Sequence, residues 1–456
     1  MPIKRLFVAN RGEIAVRILR TAHRLGIETV LGVSAADRET LGAKMAGRVV
    51  VLGPAPSKFS YLNANLVVHA AKATGCDALH PGYGFLSEKA ELAQLCEGEG
   101  IAFVGPRAAT IAALGDKLSA RAIAAAAGVP IVPGTDCIET LQAARAAASQ
   151  LGYPVVMKAS AGGGGRGMFK ATCAEDLTAS FDRASLEAES AFGDRRLYME
   201  RFVERARHVE VQVVGDGEGN VVHFGERDCS VQRRYQKLIE EAPATALPGH
   251  VRDKLHAAAV RLIAEARYRN AGTVEFLYDV DREDVYFIEV NSRIQVEHPV
   301  SEEVTGHDLI ACQLRVAGGE GLGLTQSDIQ VRGHAIEVRI NAEDPRAGFA
   351  PSPGRITRWA PPVGPGIRLD THAGQDYLVP PYYDSMIGKL IVHGATRAEA
   401  LSRLQAAIAG FTLEGVRHTL PLAAFIAGHA DFQANRFTTR WLEDTGLPAF
   451  AASPAA

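Results

Sequence analysis

The amino-acid sequence predicts a multidomain protein of the α/β and α+β classes, with a parallel α/β domain at its N-terminus. Three observations support this prediction. The chain has 456 residues, enough for about two to four domains. Its first part alternates short apolar runs with helical patterns, as parallel α/β domains do. Later segments alternate polar and apolar residues with the period of half-buried strands.

Composition excludes several classes of protein. Apolar content is 47 % and net charge is −3, with no long basic run, so nucleic-acid binding has little support. No apolar stretch approaches the length of a membrane span. The N-terminus enters a strand almost at once, which leaves no room for a signal segment. The six cysteines lack metal-ligand or redox-pair spacing, and we expect a cytoplasmic protein with reduced cysteines.

Residues 1–103 are predicted to form the N-terminal domain. Strands are expected at 6–9 and 29–33, a helix at 12–25, and a second helix at 65–74 that ends at Gly75. A dinucleotide-binding fingerprint is lacking, because the turn after the first strand carries a single glycine. The breaker-rich turn that follows His80 is interpreted as a tight loop.

The rest of the chain is divided by composition. Residues 104–129 form linker helices, including one at 118–127 with Asp116 as its N-cap, which places Lys117 in the first turn. A cation there opposes the helix dipole, and a nearby anionic ligand would reverse the sign of that effect. Residues 130–202 form a small unit around a glycine loop. Residues 203–446 hold a charged hairpin and a mixed tail, and residues 447–456 are predicted to be a disordered terminus.

The glycine loop at 161–167 follows a predicted strand and contains four consecutive glycines. Such a run lets backbone N–H groups surround an anion, and Lys158 and Arg166 add positive charge. A short strand follows, which is unlike a Rossmann turn, and Met168 stands where a Walker motif has lysine. No kinase D-F-G motif is present. We interpret the loop as a phosphate-binding flap of another kind; the alternative is a flexible hairpin tip.

A predicted hairpin carries the most informative residues. A turn centred on Arg282 would place Glu275 opposite Glu289, where two like charges at about 5 Å repel by roughly 3 kcal/mol. A Mg²⁺ ion between the carboxylates, with Asn291 as neighbour, would offset this repulsion. The alternative is a hairpin with one hydrated, charged face. The further polar residues Arg293, Gln295 and Glu297 favour the metal site.

Two other polar segments leave their interpretation open. His208 lies on one face of a predicted strand with Glu210 and Gln212, where a half-solvated strand residue is the simpler explanation. Residues 232–237 are basic and read most simply as a solvated surface. An anion site there gains support only from the other anion-binding elements of the chain.

Taken together, these residues resemble the biotin carboxylase family of the ATP-grasp superfamily. The matching strings run in order through nearly the whole chain: 9–15, 80–88, 158–168, 226–230, 289–299, 339–345 and 381–386. The resemblance implies an N-terminal α/β (pre-ATP-grasp) domain, an ATP-grasp lid and core, and a C-terminal biotin carboxylase domain.

The resemblance also implies the roles of individual residues. The expected ATP contacts are Lys117, Lys158, Glu200, Arg201, Val203, His208 and Gln232, with Gly164 and Gly165 in the lid over the phosphates. The expected ligands of Mg²⁺ or Mn²⁺, which with ATP would be the cofactors, are Glu275, Glu289 and Asn291. Bicarbonate is expected among Lys237, Arg293, Gln295 and Val296; Glu297 would be the base, and Arg339 would stabilise the biotin enolate.

The sequence departs from the family at two positions. Tyr235 stands where most members have histidine, so that nucleotide contact is not carried over. Arg201 replaces a usual lysine beside the adenine, where its backbone would still serve.

The expected partners follow from a missing motif. Because the chain lacks Ala-Met-Lys-Met, biotin is expected on a separate biotin carboxyl carrier protein. A carboxyltransferase subunit, as in acetyl-CoA carboxylase, and a homodimer are also expected. The alternatives are another ATP-grasp carboxylate or carbamoyl ligase and a non-catalytic nucleotide-binding subunit.

Overall fold

The computed structural model describes residues 2–160 and 167–454. The N-terminal domain contains a five-stranded parallel sheet in the order β3-β2-β1-β4-β5, which confirms the predicted parallel α/β class. Its strands are β1 (Arg5–Val8), β2 (Glu28–Ser34), β3 (Arg48–Gly53), β4 (Ala78–His80) and β5 (Ala102–Phe103). Its helices are α1 (Gly12–Arg24), α2 (Leu41–Met45), α3 (Ala64–Ala73) and α4 (Ala90–Gly98).

The turn after β4 is anchored on the turn after β1. The side-chain amide of Asn10 donates to the carbonyls of Pro81 and Tyr83 at 2.6 and 2.7 Å. The tight approach requires glycine at position 82, where φ is +63° and a Cβ atom would lie 2.8 Å from Asn10. The breaker-rich loop is thus a tight turn, as predicted.

Two helices connect this domain to the glycine-loop unit: α5 (Ala108–Gly115) and α6 (Lys117–Ala126). The Asp116 carboxylate accepts from the N–H of Ser119 at 2.8 Å, which confirms the predicted N-cap and places Lys117 at the first helical position. The unit itself contains a three-stranded antiparallel sheet in the order β7-β6-β8. Its elements are α7 (Leu141–Leu151), β6 (Val155–Ala159), β7 (Met168–Ala171), α8 (Ala174–Phe192) and β8 (Leu197–Arg201).

The glycine loop therefore joins two strands, β6 and β7, as predicted for a flap. Gly164, Gly165 and Arg166 lie outside the described residues. The predicted contacts of those residues with phosphate remain predictions.

The largest sheet has eight strands in the order β13-β12-β9-β10-β11-β14-β21-β19, and every neighbouring pair is antiparallel. Its first elements are β9 (Ala206–Asp216), β10 (Val221–Arg233), β11 (Gln236–Ala242), α9 (Gly249–Glu265), β12 (Arg269–Asp279), β13 (Asp284–Asn291), α10 (His298–Thr305), α11 (Leu309–Ala317) and β14 (His334–Asn341). Short strands follow: β15 (Glu343–Asp344), β16 (Ala350–Pro351), β17 (Gly354–Arg355), β18 (Arg358–Ala360), β19 (Ile367–Thr371), β20 (Leu378–Val379), β21 (Met386–Gly394) and β22 (Thr412–Glu414).

The strand period of two decides what each face of this sheet carries. Along β9, Val209, Val211 and Val213 pack into an apolar core with α6 and α9. The residues between them, Glu210 and Gln212, point to the opposite face together with His208. One face of the sheet is therefore apolar and the other is polar, and the polar face holds the candidate site.

The C-terminal helices enclose a second apolar core over β14 and β21. They are α12 (Arg397–Ala409), α13 (Leu420–Gly428), α14 (Ala430–Gln433) and α15 (Leu447–Ala452). The predicted disorder of the C-terminus was wrong as far as residue 452, because Phe450 is buried against Phe425 and the guanidinium of Arg346. Burial of this aromatic side chain offsets part of the ordering entropy of the short helix. Within the described part of the chain, no helix is long and apolar enough to cross a bilayer.

Candidate active site

Lys237 lies at the centre of the polar face, among carboxylates from different parts of the chain. Its ammonium donates to Glu210 at 2.6 Å, Glu275 at 2.9 Å and Glu297 at 2.7 Å. Burial disfavours the charged form, but the surrounding negative groups outweigh it and raise the pKa of Lys237 well above its usual value. The interpretation of residues 232–237 as solvated surface was therefore wrong for Lys237. It holds for Tyr235, which is 52 % exposed at the tip of the hairpin between β10 and β11.

The charged hairpin brings Glu275 of β12 opposite Glu289 of β13, as predicted. Each carboxylate is offset by cations. Glu275 contacts Lys237 and lies 3.1 Å from Nε2 of His208, while Glu289 lies 3.5 Å from the ammonium of Lys117. The cations outweigh burial and hold the pKa of Glu275 well below its usual range. The expected repulsion is thus compensated inside the protein itself.

The residues predicted to hold the metal fit a hard cation. Glu275 and Glu289 supply carboxylate oxygens from paired strands, the ligand type that Mg²⁺ prefers. Asn291 is adjacent: its amide N–H donates to Glu275 at 2.9 Å, and its carbonyl oxygen accepts from Arg293 at 3.1 Å. A second group, His208, Glu210 and Glu275, has its potential ligand atoms within 4.8 Å of one another. Glu275 is common to both sets.

Glu297 lies at the start of α10 and is 2 % exposed. One oxygen accepts from Lys237, and the other accepts from Arg339 at 3.0 Å. Burial favours the protonated acid, but Lys237 and Arg339 outweigh burial and hold the pKa of Glu297 below its usual range. The carboxylate is therefore ionised at neutral pH.

The other residues expected at the bicarbonate site lie just before Glu297 in the chain, and their contacts are with other groups. Gln295 is 3 % exposed; its N–H donates to Glu275 at 2.9 Å and its carbonyl accepts from Arg227 at 2.8 Å. The guanidinium of Arg293 lies 3.1 Å from Glu88. The backbone carbonyl of Val296 accepts from a buried lysine of β21, Lys389, at 2.6 Å.

Some of the residues expected to contact ATP belong to the large sheet, and others belong to the glycine-loop unit. Glu200 of β8 is buried between Lys158 and Arg121 and pairs with both. Burial opposes the charge of Lys158, but Glu200 raises the pKa of Lys158 above its usual value. The backbone N–H of Arg201, expected beside the adenine, donates to the carbonyl of Pro133 at 2.9 Å.

Arg201 directs its side chain to the hydroxyl of Tyr286 at 3.0 Å. Val203 packs in a small apolar cluster with Tyr286, and Gln232 is buried at the end of β10. His208 is 13 % exposed at its side chain, so the simpler interpretation as a half-solvated residue was wrong. Burial opposes its charge, but Glu275 raises the pKa of the His208 ring.

Several residues with direct contacts to the site carried no assigned role in the sequence analysis. Arg227 is fully buried and donates to Glu210 at 2.5 Å and to Gln295 at 2.8 Å. The sulfur of Cys229 lies 4.0 Å from Glu297. Glu210 was visible as a polar residue in the alternating pattern of β9, but its contact with Lys237 joins residues far apart in sequence.

Three family models match the chain in succession. The model "Biotin carboxylase, N-terminal domain" matches residues 2–111, "Carbamoyl-phosphate synthase L chain, ATP binding domain" matches residues 116–325, and "Biotin carboxylase C-terminal domain" matches residues 337–444. Biotin carboxylase 1 of Bacillus subtilis is 49 % identical over 442 residues, with 97 % of this chain and 98 % of the relative covered. Biotin carboxylase of Pseudomonas aeruginosa is 47 % identical over 443 residues, with 97 % and 98 % covered.

Solved structures are similar over the same length. The biotin carboxylase domain dimer of 2-oxoglutarate carboxylase from Hydrogenobacter thermophilus, in complex with MgADP, ADP and bicarbonate, has a TM-score of 0.94 at 44 % identity, with both chains covered completely. A biotin carboxylase complex from Campylobacter jejuni has a TM-score of 0.94 at 44 % identity, covering 97 % of this chain and 99 % of that one. Together with the family models that flank the ATP-binding segment, these similarities show that the chain belongs to the biotin carboxylase family.

Proposed function

We propose that this protein uses ATP and bicarbonate to carboxylate biotin, forming carboxybiotin, ADP and phosphate. The observation that carries the proposal is the position of Glu297. It is a buried, ionised carboxylate held by Lys237 on one oxygen and Arg339 on the other. An ionised carboxylate between two cations offers both a proton acceptor and positive charge for small anionic substrates.

Bicarbonate is a poor electrophile and must be activated. In the proposed step, Glu297 takes its proton and the bicarbonate oxygen attacks the γ-phosphorus of ATP, which releases ADP and forms carboxyphosphate. Lys237 and Arg293 would hold the anion against the carboxylate. As Lys237 turns towards substrate oxygens, the basicity of Glu297 rises, because less positive charge then stabilises its ionised form.

Glu275, Glu289 and Asn291 would hold Mg²⁺ or Mn²⁺, which when bound neutralises charge on the phosphate oxygens. Lys117 and Lys158, which pair with Glu289 and Glu200 in this structure, would contact the phosphates. The flap between β6 and β7 would cover them and exclude water from the labile carboxyphosphate.

The second half of the reaction requires a base for biotin and stabilisation of the resulting anion. Carboxyphosphate separates into CO₂ and phosphate, and phosphate takes the ureido N–H proton of biotin. The biotin nitrogen then forms a bond to CO₂. The side chain of Arg339 is 17 % exposed, and its guanidinium would stabilise the enolate oxygen of biotin.

We also propose that biotin arrives on a separate carrier protein and that a carboxyltransferase subunit takes the carboxyl group onward. The lack of an Ala-Met-Lys-Met motif in the sequence supports this proposal. A homodimer is proposed because the Hydrogenobacter domain is a dimer. A cytoplasmic location is proposed on the six free cysteines. Covalent biotin on this chain in a mass spectrum would contradict the separate carrier protein. A monomer in light scattering would contradict the homodimer.

One assay tests the function against its rivals. ATP hydrolysis is measured with bicarbonate and free biotin each present or omitted, and we expect both to be required for the full rate. A rate that ignores biotin would favour another ATP-grasp ligase. A protein that binds ATP but does not respond to bicarbonate either would favour a non-catalytic subunit.

The Glu297→Gln variant tests the proposed base. We expect carboxylation to be abolished while ATP still binds, because the amide cannot accept the proton but fills the same space. Near-normal turnover by this variant would contradict the assignment.

A further inference from the structure

Two buried glutamates lie behind Arg339, and the reaction described above uses neither. Glu240 on β11 and Glu337 on β14 stand directly opposite each other in the antiparallel register, and both are 0 % exposed. Facing residues in such a pair have Cβ atoms about 5 Å apart. Both strands are covered by α10, so the two carboxyl groups share one buried space between the sheet and this helix.

The two carboxyl groups have unequal partners. Glu240 accepts from Nε of Arg339 at 2.6 Å through one oxygen. The other oxygen of Glu240, and both oxygens of Glu337, have no hydrogen-bond partner among the described residues. An ionised carboxylate buried without hydrogen bonds is strongly disfavoured, and such a group takes up a proton instead. Glu337 is therefore the member of the pair that holds a proton.

The charges around the pair agree with this assignment. Facing Glu240 are Arg339 and Glu337 of β14, Glu297 at the start of α10, and Lys237 of β11; facing Glu337 are also Lys389 of β21 and the hydroxyl of Tyr83. Burial raises the pKa of Glu337 well above its usual value, against the opposing charge of Lys389. Burial also raises the pKa of Glu240 to about 7, against the charge of Arg339.

The position of Arg339 connects this pair to the reaction. Its guanidinium contacts Glu240 on one side and Glu297 on the other, at 2.6 and 3.0 Å. Without Glu240, the guanidinium would have Glu297 as its one carboxylate partner among the described residues. It would then turn towards the base and away from the space that biotin must enter.

We propose that Glu240 is a positioning residue for Arg339, and that Glu240 and Glu337 form a carboxyl–carboxylate pair that shares a single proton. The ionised member fixes the orientation of the guanidinium, and the protonated member keeps two negative charges from accumulating behind it. This inference rests on the proposed function, because it concerns the residue assigned to the biotin enolate.

The first experiment compares Glu240→Gln and Glu240→Asp with the wild type, using free biotin at saturating bicarbonate. We expect Glu240→Gln to lower kcat/KM for biotin by about tenfold at about pH 8, because a neutral amide holds a guanidinium more weakly than a carboxylate does. Glu240→Asp keeps the charge and should recover part of the loss. The KM for ATP should stay within about twofold, since the side chain of Arg339 contacts Glu240 and Glu297 and none of the lysines expected at the phosphates.

The pH profile separates positioning from a general structural role. In the wild type, kcat/KM for biotin should fall as the pH drops through about 7, because Glu240 then takes up a proton and releases Arg339. This limb should be missing in Glu240→Gln. A parallel loss at every pH, with KM for ATP changed as much as kcat/KM for biotin, would overturn the positioning role.

A direct readout tests the shared proton without any activity measurement. At about pH 8, where Glu240 is mostly ionised, the infrared difference spectrum of the wild type minus Glu337→Gln should contain the carbonyl band of a protonated carboxyl group. Glu241→Gln is the matched control: it removes the adjacent buried carboxylate on the opposite face and should keep the band. Circular dichroism verifies that each variant is folded.

Failure of the inference and failure of the proposed function give different results. If ATP hydrolysis by the wild type responds to neither bicarbonate nor biotin, the proposed function itself is contradicted. A wild type that responds to both, with Glu240→Gln at the wild-type kcat/KM for biotin or with no protonated carboxyl band, sinks the inference alone.

Discussion

Glu241 offers a quantitative test of how buried ion pairs hold the C-terminal helices to the large sheet. Both of its oxygens accept from Arg397 at the start of α12, at 2.7 and 2.8 Å, and one also contacts Nε2 of His334 at 2.8 Å. Arg397 in turn donates to the carbonyls of Phe432 and Gln433 at the end of α14. Glu241→Gln would leave the guanidinium buried beside a neutral amide.

The magnitude follows from the pKa of Glu241. Burial opposes ionisation, but hydrogen bonds from His334 and Arg397 outweigh it and lower the pKa from 4.5 to about 2. A depressed carboxyl pKa contributes stability above about 4.5 and loses it as the pH falls through about 2. At neutral pH the shift corresponds to about 3 kcal/mol, the same order as the cost of breaking a buried pair.

The assay uses the two tryptophans of the chain. Trp359 and Trp441 both belong to the apolar core over β14 and β21, so their fluorescence reports unfolding of this part of the protein. In a urea titration at neutral pH, Glu241→Gln should lower the free energy of unfolding by about 3 kcal/mol.

The neighbouring residue provides the matched control. The pKa of Glu240 is raised to about 7, so its favourable contribution is complete below about 4.5 and is lost as the pH rises through about 7. At about pH 8, Glu240→Gln should therefore leave the free energy of unfolding unchanged or higher. An unchanged transition for Glu241→Gln, or an equal loss for both variants, would refute the reasoning.

Three further predictions concern other parts of the molecule. Burial, and then the nearby ring of His256, lower the pKa of His223 to about 4. The stability that depends on neutral His223 is present above about pH 6.5 and is lost as the pH falls through about 4. His223→Phe should therefore shift acid unfolding, followed by circular dichroism, to lower pH. Gly134→Ala would place a Cβ atom 2.5 Å from the carbonyl oxygen of Met199. We expect this clash to destabilise the protein by about 1–3 kcal/mol and to weaken ATP binding in calorimetry. An unchanged affinity for ATP would contradict a role for this strand contact. Lys117→Gln removes the ammonium that pairs with Glu289, so the nucleotide-free protein should bind Mg²⁺ several-fold more tightly in a calorimetric titration. The same variant should bind ATP more weakly, because it loses a proposed phosphate contact. Equal affinities of the variant and the wild type for Mg²⁺ would count against the assigned metal site.

The local pattern of the charged hairpin was sufficient to predict its pairing, though the path between the strands differs. A symmetric turn about Arg282 implies that Asp279 faces residue 285, but the structure pairs it with Asp284. A bulge next to Glu275 inserts Ile288 as an extra residue and restores the pairing with Glu289. Alternation identifies the faces of a hairpin, but it does not show where a bulge compensates the turn.

Long-range contacts account for what the residues alone did not predict. Lys237 lies in a basic stretch that resembles solvated surface, and its burial depends on carboxylates brought in from β9, β12 and the start of α10. Arg227 is buried for the same reason. The role of Glu297 came from the family resemblance, since no spacing in the sequence shows that Lys237 and Arg339 meet it.

The ammonium of Lys237 among three acidic groups has a consequence for the enzyme before any ligand arrives. It serves as an internal counterion for these carboxylates, so the cleft does not need a cation from solvent to balance their charge. A divalent ion held by Glu275, as proposed, would have to compete with the ammonium of Lys237 for this carboxylate and would therefore bind more weakly than to carboxylates without such a partner. Nucleotide phosphates would relieve this competition, because they offer Lys237 another anion. Binding of the metal and binding of the nucleotide would therefore strengthen each other.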